Sequence, residues 1–236
     1  MANHTISLLS GSVLDPAGTA LIDTDLLGGI LTVNADGYIF STAPASANGA
    51  ELGGGGSPWT VNVNGAIGTY ATASSGLFLP GGGTATINVG LDGTIFGAAA
   101  GSWGIYTTRV ATITNKGTIS GTKDGIFADI SAAFGNSTFT SSGKITGGIN
   151  GIEFDPAGVG IHKITNSGTI TGGTKAILAG LGIEQIVNRG TITGDIQLGG
   201  GNDTFTNFQK VGTKTIAGKV QGTIDLGEGN DTFNGG

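Results

Sequence analysis

Apolar residues recur in this chain as single β-branched side chains set between hydroxyls, as in Thr169-Ile170-Thr171 and Thr191-Ile192-Thr193. Such a period of two marks a half-buried strand, and no window shows a helical period. The strand belongs to a repeated phrase: NKGTISGT at 115–122, SSGKITGG at 141–148, NSGTITGG at 166–173 and NRGTITGD at 188–195. A glycine two residues before the apolar position anchors each unit. The anchors are Gly11, Gly37, Gly65, Gly93, Gly117, Gly143, Gly168, Gly190 and Gly218, spaced 26, 28, 28, 24, 26, 25, 22 and 28 residues apart. Beyond them stands an unbroken column: Val13, Ile39, Ile67, Ile95, Ile119, Ile145, Ile170, Ile192 and Val220. A second strand follows about eight residues after the anchor in several units, at Gly125-Ile126-Phe127-Ala128, Gly151-Ile152-Glu153-Phe154 and Ala176-Ile177-Leu178-Ala179.

Short strands, glycine corners and a repeat of 22–28 residues predict an all-β chain that winds once per repeat and stacks parallel on itself. The expected fold is a parallel β-helix of about nine coils, right-handed, with residues 1–236 as one domain. At about 4.8 Å per coil the rod is about 43 Å long. Residues 31–197 form the regular coils and 198–236 a distinct C-terminal pair. Residues 1–30 match the phrase poorly and serve either as a first coil or as a capping and docking segment.

Composition supports a folded rod. Gly makes up 48 of 236 residues and Pro only 5, while 11% of residues are charged, unlike a disordered linker. Charge is placed unevenly. Residues 1–108 hold Asp15, Asp23, Asp25, Asp36, Glu51 and Asp92 with no Lys or Arg, and residues 109–236 hold ten charges of each sign. A net charge of −6 with a half free of basic residues argues against nucleic acid and anionic membrane as partners. No run of 18 apolar residues is present, so no membrane span is expected. The opening MANHTISLLSGSVL lacks the basic region of a secretory signal, so an exported chain needs another signal or belongs to a longer one. Cysteine is absent, as suits an extracellular repeat rod whose coils need no disulfide cross-links.

One motif suggests chemistry. Leu198-Gly199-Gly200-Gly201-Asn202-Asp203-Thr204-Phe205 returns 28 residues later as Leu226-Gly227-Glu228-Gly229-Asn230-Asp231-Thr232-Phe233. Glycines that expose carbonyls, next to a carboxylate, suit a hard cation that prefers oxygen ligands. The motif resembles the RTX nonapeptide repeat of secreted bacterial proteins: Gly199, Gly201 and Asp203 match it, as do Gly227, Gly229 and Asp231. It departs from that repeat in having Leu198 and Leu226 at the first glycine and a full coil between copies. The resemblance implies Ca²⁺ held by Asp203, Asp231, Asn202, Asn230 and the corners Gly199, Gly201, Gly227 and Gly229. The bland alternative is an Asx-type turn in which each aspartate accepts backbone N–H bonds. The remainder, residues 110–236 above all, resembles the β-helical stalks of large bacterial adhesins and autotransporter passengers.

Register supplies further candidates. Asp129 and Asp155 fall at one position of adjacent coils, with Glu153 on the same outward face. β-Helical enzymes acting on acidic polysaccharides use such carboxylates, so these three are the catalytic candidates, with solvated acids or a weak cation site as the alternative. Asn115, Asn166 and Asn188, interrupted by Ser141, predict a stacked amide ladder. Thr169 and Thr171 beside Thr191 and Thr193 make a small hydroxyl array of the kind that ice-binding solenoids present, ended by Lys144. Trp59, Tyr70, Phe78, Trp103 and Tyr106 form either an exposed sticky patch or packing beneath loops, and 41–58 is expected to leave the rod as a long loop. His4 and His162 stand apart from other ligand-type residues, which argues against transition-metal sites and Ser-His triads. The function expected overall is a secreted structural or adhesive rod at the cell surface, calcium-stabilised and without catalysis. Its partners are copies of itself, stacked head to tail or laterally, or a surface or matrix molecule. A polysaccharide-active enzyme and an ice-binding solenoid are the alternatives.

Overall fold

The structure, a computed structural model, describes residues 4–8, 11–15, 17–23, 28–130 and 135–235. Parallel strands stack in three columns. The first column holds His4–Leu8, Gly29–Val33, Trp59–Val63, Thr84–Val89, Val110–Asn115, Thr138–Ser141, Ile161–Asn166, Ile183–Asn188, Thr204–Thr206 and Thr232–Asn234. The second runs through Gly37–Ser41, Ala66–Thr69, Thr94–Gly97, Thr118–Gly121 and Lys144–Gly147. The third runs through Ala50–Leu52, Ser75–Leu79, Trp103–Thr107, Asp124–Ala128 and Asn150–Phe154. The second and third columns merge in Thr169–Leu178 and Thr191–Gln197. The result is a β-solenoid of about eight regular turns, and the described residues form no helix. A ninth turn is distorted by an antiparallel hairpin, Phe208–Val211 with Lys214–Ala217. The hairpin accounts for the 28-residue spacing between Gly190 and Gly218, and the repeat phrase carries no sign of it.

The expected Val/Ile column is present rung by rung. Val13 pairs with Ile39, and the pairing continues through Ile67, Ile95, Ile119, Ile145, Ile170 and Ile192 to Val220. From Ile39 to Ile192 these side chains are fully buried, each contributing about 1.5–3 kcal/mol by leaving water. Two more inward columns complete the core. Leu31, Val61, Ile87, Ile113, Phe139, Ile164, Ile186 and Phe205 line the first face, and Leu77, Ile105, Ile126, Ile152, Ile177 and Ile196 the third. The first column lies upstream of the phrase in sequence, and its variable strands hide it from a search anchored on that phrase.

The anchor glycine is a packing requirement. A Cβ on Gly65, Gly117, Gly143, Gly168 or Gly190 would lie 2.0–2.2 Å from the carbonyl oxygen of the anchor one turn earlier. Only a bare backbone lets the turns close to pairing distance at that corner. The residue two before the anchor stabilises the same corner from inside. Asn115 donates to Ser141 Oγ (3.2 Å), Asn166 to Asn188 Oδ1 (2.9 Å) and Asn188 to Asn207 Oδ1 (2.8 Å). The amide ladder is therefore present, and it extends one rung further than expected.

The N-terminal residues form a coil: His4–Leu8 pairs with Gly29–Val33, Gly11–Asp15 with Gly37–Ser41, and Leu21–Asp23 with Ala50–Leu52. Residues 1–3, 9–10, 16 and 24–27 of the expected docking segment lie outside the described residues. The stretch 41–58 does not leave the rod. It contains the strand Ala50–Leu52, a bridge from Ala45 to Thr72, and Ala43 and Ala47 buried against Ala71. Small side chains let that segment lie flat on its neighbour.

Trp59 follows the second of its two expectations, packing and not exposure. It is buried, in register with inward Ala85, and its Nε1 donates to the Gly53 carbonyl (3.1 Å). Arg109, the first basic residue of the chain, is also buried and braces the same region. Its Nε donates to Pro80 O (3.0 Å), Nη1 to Ser57 O (2.8 Å) and Nη2 to Gly54 O (2.7 Å). One guanidinium thus ties together three carbonyls of the half that has no base of its own. Arg109→Met should lower the unfolding free energy by about 3 kcal/mol, because three buried acceptors lose a charged donor. Arg109→Lys should recover less than half of this, since one ammonium cannot match the planar fork. Urea denaturation of the three proteins measures both effects.

Candidate functional site

The outward file of the third column sets three aromatic rings in register on successive turns. On five successive turns it presents Glu51, Phe78, Tyr106, Phe127 and Glu153. They alternate with the buried Leu77, Ile105, Ile126 and Ile152, so the strand period itself turns them outward. Ring centroids lie 5.1 Å apart for Phe78–Tyr106 and 5.0 Å for Tyr106–Phe127. Trp103, at the start of its strand, packs 5.3 Å from Tyr106, and the Lys123 ammonium sits 4.6 Å from the Trp103 ring centroid. A cavity of about 310 Å³ opens beside these rings, lined by Phe78, Trp103, Tyr106, Asn48, Ser74 and Ser75.

The two glutamates at the ends of the file are held alike. Asn48 Nδ2 donates to Glu51 Oε2 (3.1 Å) and Asn150 Nδ2 to Glu153 Oε2 (2.7 Å), an Asn-x-x-Glu bracket entering the third-column strand in each case. The bracket is visible in the sequence only once the register is known.

The sequence-derived acids divide into two pairs. Asp129 and Asp155 do meet across adjacent turns: burial and the neighbouring Asp129 carboxyl raise the pKa of Asp155. Asp129 Oδ2 accepts the Tyr106 hydroxyl (2.9 Å), and burial together with that bond pushes the Tyr106 pKa up to about 12. Glu153 instead pairs with Asp124, a buried residue that sequence reasoning overlooked. Asp124 Oδ2 accepts Trp103 Nε1 (2.9 Å), Oδ1 accepts the Asn150 N–H (3.1 Å), and burial beside Glu153 pushes its pKa up to about 6. Two acid pairs thus flank the aromatic file at opposite ends of the strand Asp124–Ala128.

Of the RTX-like residues only Asp203 is buried, while Asn202, Asn230, Gly227 and Gly229 are exposed. Gly199, Gly201, Gly227 and Gly229 all have positive φ (91°, 121°, 89° and 143°), as their tight corners require. Asn202 Oδ1 accepts the Asn230 N–H (2.8 Å). Asp203 is fully buried: its Oδ1 accepts the Glu184 N–H (2.8 Å), while Asp231 Oδ1 accepts the Asp203 N–H (2.8 Å). The same position carries Ser137 and His162 on earlier turns, with the Ala111 N–H donating to Ser137 Oγ (3.0 Å). A ladder of side-chain acceptors therefore caps backbone N–H groups from turn to turn: the aspartates do accept N–H bonds, but from the preceding turn and not within a local Asx-type turn. Asp203 Oδ2 and both Glu184 oxygens are buried and accept no N–H, and the two carboxyls lie against each other, so the proton that Glu184 keeps bridges them. Burial and Asp203 push the Glu184 pKa up to about 9, and burial pulls that of His162 down to about 4, so both groups stay uncharged near neutrality.

A polar face lies on the first column. Thr60, Thr86, Thr112 and Thr138 form one file, and Asn62, Asn88, Thr114 and Thr140 the next, on four successive turns. Asn88 Nδ2 donates to Asn62 Oδ1 (2.9 Å), and a groove of about 450 Å³ runs past Thr32, Asn62, Asn88, Thr114 and Lys116. Thr169 and Thr171 do lie beside Thr191 and Thr193 on the second column, but the first column is the longer array. Its signal in the sequence is the recurring Thr-x-Asn/Thr, as in Thr86-Ile87-Asn88 and Thr112-Ile113-Thr114.

Asp124 generates a pH test. An acid whose folded pKa lies above its unfolded value keeps its proton in the fold while the unfolded chain loses it, so stability falls as pH rises from about 4 to about 6. Asp124→Asn should remove this contribution and leave that of Glu184, so the stability difference between variant and parent should shift by about 3 kcal/mol in the variant's favour across that window. Thermal melts from pH 4 to pH 7 measure it, whatever constant offset the substitution brings. Comparison with known proteins adds no further assignment: no protein-family model, no curated protein and no solved structure matches this chain.

Proposed function

We propose that the chain is an extracellular structural and adhesive rod whose contact surface is the aromatic file of the third column. The observation that carries this reading is the file Phe78–Tyr106–Phe127, three rings in register on successive turns and bracketed by Glu51 and Glu153; a second ring cluster, Tyr38, Phe40, Tyr70 and Phe96, lies elsewhere on the rod without such flanking carboxylates. Rings lined up along a rigid axis give a preorganised platform, which lowers the ordering cost of binding a long partner. The solenoid suits a spacer, since each turn rests only on its neighbours and the rod bears load through continuous backbone pairing. The partner is a polymer of the cell surface or matrix.

Adhesion to immobilised surface polysaccharides and matrix proteins tests the role. Tyr106→Ala with Phe127→Ala should lower retention at least about tenfold, the scale of about 1.4 kcal/mol of aromatic contact. Retention unchanged in the folded double variant would remove the reading.

The buried Asp203 Oδ2 supports a calcium role for the C-terminal turns, since it is a carboxylate oxygen that no N–H occupies. With 5 mM Ca²⁺, chosen to exceed the roughly millimolar Kd of extracellular sites, the melting temperature should rise over that in EDTA, and Asp203→Asn should abolish the rise. Equal melting in both would leave the aspartates with the backbone-capping role alone.

A second reading draws on the Thr/Asn face of the first column. Two files of hydroxyls and amides at strand spacing, about 4.8 Å between turns, hold water in a regular array as an ice-binding solenoid does. Thermal hysteresis of the parent, absent in Thr86→Lys with Thr112→Lys, would support it, and freezing without hysteresis would exclude it.

A further inference from the structure

The file that the adhesive reading uses also carries information about its ligand. Its outward order along the rod is carboxylate, ring, ring, ring, carboxylate, one group per turn. At about 4.8 Å per turn, the two end carboxylates stand about 19 Å apart. A pyranose unit of an extended β-linked chain advances by close to one turn, so a linear oligosaccharide lying parallel to the rod axis meets each group in succession.

Charge and hydrogen bonding narrow the class. Glu51 and Glu153 flank the three rings, with Ile22 and Leu178 beyond them, and Asp129 and Asp155 lie beside Tyr106, so a polyuronate would bring carboxylate to carboxylate. The face suits ammonium groups: a ring face attracts a cation, most strongly for Trp and Tyr. The protein already makes this contact with its own side chain, since the Lys123 ammonium lies 4.6 Å from the Trp103 ring centroid and 5.8 Å from that of Phe127. The Phe78 and Tyr106 rings line the cavity together with Asn48 and Ser74, whose polar atoms are spent on Glu51, the Ser75 and Ala47 N–H groups and the Thr72 carbonyl, so the rings and the carboxylates are what the cavity offers a ligand.

We propose that this file binds a linear β-linked polymer of amino sugars, laid along the rod axis. Amines at spaced sugar units engage Glu51 and Glu153, and the intervening pyranose faces stack on Phe78, Tyr106 and Phe127. The Asn-x-x-Glu brackets pre-set both carboxylates, so little side-chain entropy is lost on binding. The proposal rests on the adhesive reading and specifies its ligand.

The test is titration calorimetry of the full chain at pH 6 with a glucosamine hexamer. Parallel arms use the N-acetylglucosamine hexamer, a glucose hexamer, a galacturonate hexamer and hexalysine. The glucosamine hexamer should bind at least about tenfold more tightly than every other arm, and the margin should shrink in 0.5 M salt, as charge pairing requires. Glu51→Gln, which preserves the Asn48 bond, should weaken binding about tenfold. Tyr106→Leu should do the same, with circular dichroism confirming the fold of each. Hexalysine binding as tightly as the sugar would show a site for ammonium alone and overturn the proposal. Folded parent that ignores the glucosamine hexamer, or variants that bind like the parent, would also overturn it. If another arm binds and Tyr106→Leu abolishes that binding, the amino-sugar assignment fails while the adhesive face stands. If the face variants also leave surface retention unchanged, the adhesive reading fails with it.

Discussion

Parallel pairing between one turn and the next is the interaction from which the rest of this structure follows. It fixes the distance between equivalent residues on neighbouring turns at the strand separation, about 4.8 Å, and so converts each position of the repeat into a line of identical contacts. Three of these lines are apolar and form the core. The anchor glycines exist because that distance leaves no space for a Cβ at the corner. The regularity is cooperative, since each turn buries its inner face only when its neighbours are in place.

The same constraint explains why so many polar groups are inside. A corner exposes N–H groups that the pairing pattern misses, and these must find acceptors. Asn166 and Asn188 supply them at one corner, accepting the Gly168 and Gly190 N–H groups, and Ser137, Asp203 and Asp231 at another. Stacked carboxyls in a low-dielectric interior cannot all ionise. Glu184 accordingly holds its proton, and Asp203 is displaced upward by burial and by Asp231. The polar residues of the C-terminal turns are thus as much part of the scaffold as its isoleucines.

How far the sequence disclosed this arrangement follows from which positions repeat in kind. The Val/Ile column was legible to the last rung, because one residue type recurs at one offset from one glycine. The Asn ladder was legible for the same reason. The first column was not, since WTVNV, VATITN and TFTS share a burial pattern but little spelling. Arg109 was overlooked, and Trp59 was left open between exposure and packing, because the place of a large side chain in a thin rod depends on which loops fold over it. The pairing of Glu153 with Asp124 was hidden because it turns on a three-residue difference in strand position. Asp129 and Asp155 were found by register alone.

The Asn-x-x-Glu bracket has a consequence for how such a surface changes over time. A solenoid lengthens by copying a whole turn, and a copied turn arrives with its outward residue already in line. Duplication of a turn between Glu51 and Glu153 would move the two carboxylates apart by one step and add one more group between them, leaving each bracket intact. The surface thus behaves as a ruler whose length is set by the number of turns and whose ends are set by two short local motifs. Reach and recognition can then vary independently within one fold.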